Sequence, residues 1–452
     1  MWGINKKEEI VRLLYEIARR EETTLESVYV STLKPLQDQG DGEVALSFRD
    51  IKGALLKRRY PTLTSDEHSK VLLTPVRNAE MSFADEAYGG FVPKKIYIEE
   101  KAVGFPLTEK ILKRFPEIPH EVISTLKDFR KNEPNWLGSF GKDTLLIGLE
   151  AYDFLKPCAC TSNALPCNYY VLNLGFGCPF DCSYCYLQFY QNTPAIVVYA
   201  NPERFTQELD KVLTNQKGLW TRIGTGEFTD SLALDSLTEY SKILVPYFKD
   251  KNVFFELKTK SDQIENLLGL DHGGKTVVSW SVNPACLEKE ESKTAPIQKR
   301  IEAARRCQEA GYPVAFHFDP VFYFEGWEKH YQELIEEIYS ALIRPPQWVS
   351  IGTFRYHRDL KKVAEFRHPT TRVFLGEQVQ DTQDDKFRYP DRVRTEIYQK
   401  MFEWLRAKDV KTPIYLCMES PDIWKAAFEK LPYAGRIDSW IVGKPIQSTT
   451  CG

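Results

Sequence analysis

The chain has 452 residues, 60 of them Lys or Arg and 63 Asp or Glu, giving a formal net charge of −3 with 42% hydrophobic residues. That length accommodates one large α/β domain with additions. No apolar run is long enough to span a bilayer, and the first residues form no apolar leader core, so a cytoplasmic protein is expected. The near-neutral balance gives no global argument for nucleic acid, although a basic groove could be local.

Asn5 and Glu8 have capping-box spacing, and Ile10, Leu13, Leu14, Ile17 and Ala18 share one helical face. A polar stretch from Gln37 to Gly42 precedes a second expected helix over 47–59, which ends in Lys57-Arg58-Arg59-Tyr60. This basic end reads either as a solvated helix terminus or as a phosphate contact. Residues 1–90 are thus expected to be a small, mostly helical N-terminal extension. Residues 91–168 read as a mixed α/β start of the core, with a strand at Lys95-Ile96-Tyr97-Ile98 and helices over 108–115 and 119–131.

From residue 169 the pattern repeats. Strands are expected over 169–175, 219–224, 253–257, 276–281, 314–318 and 348–352. Helices are expected between them, over 202–213, 234–248, 262–268, 296–310 and 326–342. Asn201-Pro202 reads as an N-cap with proline at the first helical position, and Thr294 and Gly311 bracket another helix. Alternating β and α segments imply a parallel sheet with right-handed crossovers, and this number of strands is too small to close an eight-stranded barrel. The expected fold class is α/β, a partial (β/α)6 barrel over 169–360. A C-terminal α/β region, 361–452, adds a strand over 414–416 and a helix from Pro421.

In parallel α/β folds the chemistry gathers at the C-terminal ends of the strands. Polar residues do follow each expected strand: Gly224-Thr225-Gly226-Glu227-Phe228-Thr229-Asp230, Lys258-Thr259-Lys260, Ser281-Val282-Asn283, His317-Phe318-Asp319 and Arg355-Tyr356-His357. The first strand ends in Cys178-Pro179-Phe180-Asp181-Cys182-Ser183-Tyr184-Cys185-Tyr186. Cys178, Cys182 and Cys185 are three soft ligands on one short loop. A [4Fe–4S] cluster normally takes four cysteines, so three would leave one iron open to a small molecule. S-adenosylmethionine (SAM) can fill that position and supply radical chemistry that side chains cannot. A structural zinc site is the alternative, but it wants four ligands.

The cysteine spacing, with an aromatic before the third cysteine, resembles the radical SAM signature. Tyr184-Cys185-Tyr186-Leu187-Gln188, Val197-Val198-Tyr199, Phe91-Val92-Pro93-Lys94, Thr259-Lys260, Lys299-Arg300-Ile301-Glu302-Ala303-Ala304 and Glu325-Gly326-Trp327 resemble the spore photoproduct lyase family. The resemblance implies a [4Fe–4S] cluster, SAM, a 5′-deoxyadenosyl radical, a thymine-dimer DNA substrate, and an external electron donor of flavodoxin or ferredoxin type. It places Lys260 and Ser281 on SAM, and Tyr184 and Tyr186 near the radical path. Gly226 and Glu227 resemble the glycine-glutamate motif that holds the SAM ammonium, and Asn283 is suited to its ribose or carboxylate.

The chain departs from the family where Glu227 stands at the position of the hydrogen-donor cysteine, and near Lys386-Phe387-Arg388, where the lyase has a DNA-reaching hairpin. Cys417 is the first candidate for a replacement donor. Cys158, Cys160 and Cys167 form a second group, read as an auxiliary cluster or zinc site, with Cys451 as a further ligand. Two other readings stay open: radical chemistry on a small molecule or peptide, and a non-catalytic, metal-stabilised binding protein.

Overall fold

A computed structural model describes residues 2–38, 46–76, 89–125, 142–150, 154–161, 163–190, 195–215, 221–381 and 384–428, with Ile437 and Ile441. The chain divides into two compact units. One comprises residues 1–84, 322–324 and 353–394; the other comprises 85–321, 325–352 and 395–452.

The larger unit is built on an eight-stranded sheet. Its order is Ile414–Leu416, Val349–Thr353, Val314–Val321, Thr276–Ser281, Val253–Thr259, Thr221–Thr225, Tyr169–Leu172 and Leu155–Pro157. The strands expected from the sequence lie side by side in chain order, as a partial barrel requires. Their register is parallel at Tyr170↔Ile223, Leu257↔Thr225, Leu257↔Val278 and Ser281↔His317. Ile414–Leu416 extends the sheet in parallel at Val349↔Ile414, and Leu155–Pro157 closes the other edge antiparallel. Alternation along Val253–Thr259 turns Phe255 and Leu257 to one side, both fully buried, and Glu256 and Lys258 to the other. Burying each such apolar side chain contributes about 1.5–3 kcal/mol.

A second sheet lies outside the expectation. Its order is His120–Ile123, Lys95–Glu99, Thr144–Gly148, Ile196–Tyr199 and Gly175–Phe176. The helix expected over 119–131 therefore begins as a strand, and its remainder from 126 lies outside the described residues. Gly175, expected to end the first barrel strand, instead forms with Phe176 a short strand antiparallel to Ile196–Tyr199.

Three other local expectations are corrected. Residues 262–268 form successive turns rather than a helix: Leu267 N–H donates to Ile264 O at 2.8 Å and Leu270 N–H to Leu267 O at 3.0 Å. The helix over 234–248 is split into Asp235–Thr238 and Tyr240–Phe248 at Glu239, whose φ is +54°. Asn201 does not cap its helix through its side chain; its amide brackets Glu150, accepting from the backbone N–H at 3.1 Å and donating to the carbonyl at 2.9 Å.

In the smaller unit the first helix is Ile4–Arg20 with Gly3 at its N-cap, so Asn5 lies inside it and the Asn5/Glu8 box does not form. Capping boxes form instead at Ser47/Asp50, ahead of Phe48–Arg59, and at Thr64/Glu67, ahead of Ser65–His68. A helix unforeseen in the sequence, Leu25–Asp38, carries Pro35 within it. Residues 361–394, expected within a C-terminal region, group with these N-terminal helices. Glu16 ties them together: this fully buried carboxylate pairs with Arg12 and Arg59 at 2.7 Å and with Lys361 at 3.0 Å. Among the described residues no helix is long and apolar enough to cross a membrane.

Candidate active site

The chain crosses from the barrel sheet to the second sheet between Leu172 and Gly175, and the cysteine loop follows, between Gly175–Phe176 and Ile196–Tyr199. The loop is pinned on both flanks. Asp181–Cys182 pairs antiparallel with Glu291–Ser292, with Cys182 opposite Glu291. Ser183 N–H donates to Glu290 O at 2.8 Å, and Lys142 Nζ lies 3.0 Å from Asp181 Oδ1 and donates to the Phe180 carbonyl. Cys185 N–H donates to Cys182 O at 3.0 Å, which closes the turn between the second and third cysteines. Cys182 is buried, while Cys178 and Cys185 are half-buried. Burial pushes the Cys182 thiol up to about 12 and the Cys178 thiol well above its ordinary value, with nearby Asp230 adding to the latter. Thiols in such a place release their protons only when a cation takes over the charge, as metal ligation does.

Glu291 is the hub beside this loop. Its Oε1 accepts from Lys260 Nζ at 2.7 Å and Asn283 Nδ2 at 2.9 Å, and also from the Tyr184 hydroxyl. Its Oε2 pairs with Arg300 Nη2 at 2.7 Å. Lys260 Nζ also donates to Tyr184 Oη at 3.0 Å. Arg300 is fully buried and donates to the carbonyls of Ser281 at 3.0 Å and Ala295 at 2.7 Å. Tyr331 Oη donates to Asn283 Oδ1 at 2.8 Å. Lys260 and Arg300 hold the Glu291 carboxyl far below the usual carboxylate range despite its burial. Tyr184, Lys260 and Asn283 are thus brought together, with Ser281 joined to them through its backbone. Tyr186 packs edge-on against Phe189 at 6.4 Å between ring centroids.

Gly226 is fixed by backbone conformation and by space. Its φ is +95°, and a Cβ would lie 2.7 Å from Lys258 O. The following turn is held by Asp230, which accepts from Leu232 N and Ala233 N at 2.9 Å, Lys260 N at 2.7 Å and Thr259 Oγ1 at 2.6 Å. Gly226→Ala is expected to cost on the order of 1–3 kcal/mol, read as a lowered urea midpoint. An unchanged midpoint would show that the turn relaxes freely.

The barrel interior below the strand ends is charged. Lys258 has Asp319, Glu227, Cys417 and Glu256 as electrostatic neighbours, and these hold its ammonium protonated against burial. Deeper, His317 Nε2 lies 2.7 Å from Glu256 Oε1, and Arg222 Nε lies 4.0 Å from Glu256 Oε2. Burial lowers the His317 pKa below 6.5, so the folded protein keeps this ring neutral where the unfolded chain would protonate it. Stability is then complete above pH 6.5 and falls as pH drops below it. The melting temperature of the wild type should decline between pH 7 and pH 5, and His317→Gln should flatten that slope. Equal slopes in the two proteins would count against this account.

The family model for spore photoproduct lyase matches residues 91–414. The chain belongs to the spore photoproduct lyase family. It is 31% identical over 302 residues to the spore photoproduct lyase of Bacillus subtilis (strain 168), covering 64% of this chain and 86% of that protein. It is 29% identical over 305 residues to that of Geobacillus sp. (strain Y412MC61), again covering 64% and 86%. A solved structure of spore photoproduct lyase complexed with dinucleoside spore photoproduct superposes with a TM-score of 0.62 at 25% identity, covering 73% of this chain and 99% of that one. Membership makes the chain a radical SAM enzyme, with a [4Fe–4S] cluster and SAM as its cofactors.

The residues present fit those cofactors. Three cysteines share a doubly pinned loop, and burial holds the Cys178 and Cys182 thiols protonated until a metal takes up their charge. The zinc reading gives way to the [4Fe–4S] cluster on the family match over residues 91–414. Reading the sequence missed Glu291 and Arg300 as parts of the site, and it placed Asp230 and Lys258 at strand ends without a role. One signal for Glu291 was present. Arg300 sits on the apolar face of its helix with Ile297, Ile301 and Ala304, and a buried guanidinium requires an anionic partner.

Proposed function

We propose that this chain uses the site to begin radical chemistry on a thymine-dimer-type lesion in DNA, with Cys417 returning the hydrogen atom. Family membership over residues 91–414 is the observation that carries this reading; the arrangement around Glu291 supports it. Cys178, Cys182 and Cys185 would hold the cluster, and Gly226, Glu227, Lys260 and Ser281 would face SAM. When bound, the pair supplies a 5′-deoxyadenosyl radical able to take hydrogen from carbon. Asn283 and Tyr184 act as positioning residues, because their polar atoms already brace Glu291 and Lys260. Tyr186, next to Cys185, is assigned to the radical path. An external one-electron carrier of flavodoxin or ferredoxin type completes the set.

A second reading, radical chemistry on a small molecule or peptide, has one specific observation in its favour. By resemblance Glu227 stands at the family's donor position, and Lys258 and Asp319 add charge inside the barrel. The test is anaerobic reconstitution with iron and sulfide, followed by a strong reductant and SAM. 5′-Deoxyadenosine should form with wild type and be absent with Cys182→Ala. Adding oligonucleotides carrying the spore photoproduct should yield restored thymine, with binding that weakens steeply in salt. SAM cleavage with no loss of the lesion would move the reading to the non-DNA substrate. No cleavage in folded, cluster-loaded protein would overturn both.

A further inference from the structure

Three cysteines stand together away from the cluster loop, on the segment that links Leu155–Pro157 to Tyr169–Leu172. Cys158 N–H donates to Tyr169 O, and Cys160 N–H to Cys158 O, each at 2.8 Å. Cys160 Sγ lies 3.9 Å from Cys158 Sγ, and Cys167 is its other thiol neighbour. All three residues are half-buried.

Cys167 differs from the other two in what stands behind it. Arg222 Nη2 lies 3.4 Å from its sulfur, while Nη1 donates to Tyr415 Oη at 3.1 Å. The guanidinium is caged by rings, 4.9 Å from the Tyr169 centroid and 5.1 Å from those of Trp348 and Tyr415. It cannot swing away, so its positive charge stays on Cys167. The hydrogen bond from Cys160 and the Arg222 charge together pull the Cys167 thiol below its ordinary value. A thiolate stabilised by a fixed cation, beside a second thiol, is the arrangement that thiol–disulfide exchange needs. The same fixed cation disfavours a metal ion here, which stands against the auxiliary cluster or zinc site expected from the sequence.

We infer that Cys167 and Cys160 form a dithiol site, set up by Arg222, that exchanges with low-molecular-weight disulfides such as oxidised glutathione. The Cys167 thiolate attacks one sulfur of the small disulfide. The S–S bond breaks, a mixed disulfide forms and one small thiolate leaves. Cys160 gives its proton to that leaving thiolate and attacks Cys167 sulfur, which releases the second small thiolate; solvent protonates it. Two protein thiols are oxidised and one small disulfide is reduced to two thiols. Cys158 is the poorer partner for Cys160, because the Cys160 N–H to Cys158 O bond holds those two residues in a tight turn.

The test uses the full chain with its cluster reconstituted, exposed anaerobically to oxidised glutathione, quenched with acid and alkylated. Peptide mass spectrometry then reads each cysteine. A Cys160–Cys167 link should appear, with Cys167 reacting about tenfold faster than Cys286, an exposed thiol whose pKa is raised rather than lowered. In Cys160→Ser, glutathione should accumulate on Cys167. Arg222→Gln should slow the Cys167 reaction about tenfold. If that variant fails to fold, the Cys160→Ser result still decides. Cys167 reacting no faster than Cys286, or staying free of glutathione in Cys160→Ser, would overturn the inference.

Discussion

Glu291→Gln is expected to destabilise the protein by about 3–5 kcal/mol and to slow SAM cleavage on the order of 100-fold. The carboxylate is 3% exposed and faces two cations, Lys260 and Arg300. Removing its charge leaves both cations desolvated and unpaired, which is the costly way to break a buried ion pair. The same change frees Lys260 Nζ and loosens Tyr184, which lies between the second and third cysteines. Placement errors near 1 Å at reacting groups are enough for the rate loss. Calorimetry and 5′-deoxyadenosine formed per cluster measure the two effects. Ser292→Ala, the next residue on the same strand, should stay within about 0.5 kcal/mol of wild type. A Glu291→Gln protein within about 1 kcal/mol of wild type would mean that Glu291 carries little of the site's charge balance. The pH dependence has a definite sign. Because Glu291 is held ionised below its ordinary value of 4.5, its contribution is present above that pH and is lost on acidification.

Glu291 also shows where legibility in the sequence ended. It lies in Glu288-Lys289-Glu290-Glu291-Ser292-Lys293, a run of charges that reads as a solvated surface. Only pairing with Asp181–Cys182, more than 100 residues away, buries it. The barrel strands were legible because each is a local apolar run bounded by turn residues. The second sheet was not, because its neighbours come from 95–99, 120–123, 144–148, 175–176 and 196–199, and no local pattern records that pairing. The turns at 262–268 read as a helix because buried Ile264 and Leu267 fall at helical spacing. Leu25–Asp38 was passed over because Pro35 and the polar stretch after it resemble a loop. In the site, the cysteines, Lys260 and Gly226 could be found because each follows a strand. The groups that position them could not, since a buried counter-ion is defined by its partner and not by its neighbours in sequence.

Cys417→Ala is expected to leave SAM cleavage within about threefold of wild type while removing hydrogen return to the product, a loss on the order of 100-fold in repaired lesion. Tyr415 faces the barrel interior, because its hydroxyl meets Arg222 there. Residues two apart in a strand share a face, so Cys417 follows on the same side, just beyond the end of Ile414–Leu416. Its backbone N–H remains tied to Ile351 O at 2.8 Å, which fixes it to the neighbouring strand. Cys417 and Glu227 are both electrostatic neighbours of Lys258, so the thiol shares that neighbour with the residue that by resemblance stands at the family's donor position. A carboxylate cannot give up a hydrogen atom as a thiol can, and a thiol exchanges its hydrogen with solvent. Turnover in deuterated water should then place deuterium in the repaired product of wild type, and Cys417→Ala should lose that label. If the variant repairs the lesion at the wild-type rate with the label retained, the donor is another group. If repair persists with no label in either protein, the hydrogen returns from 5′-deoxyadenosine and SAM is regenerated.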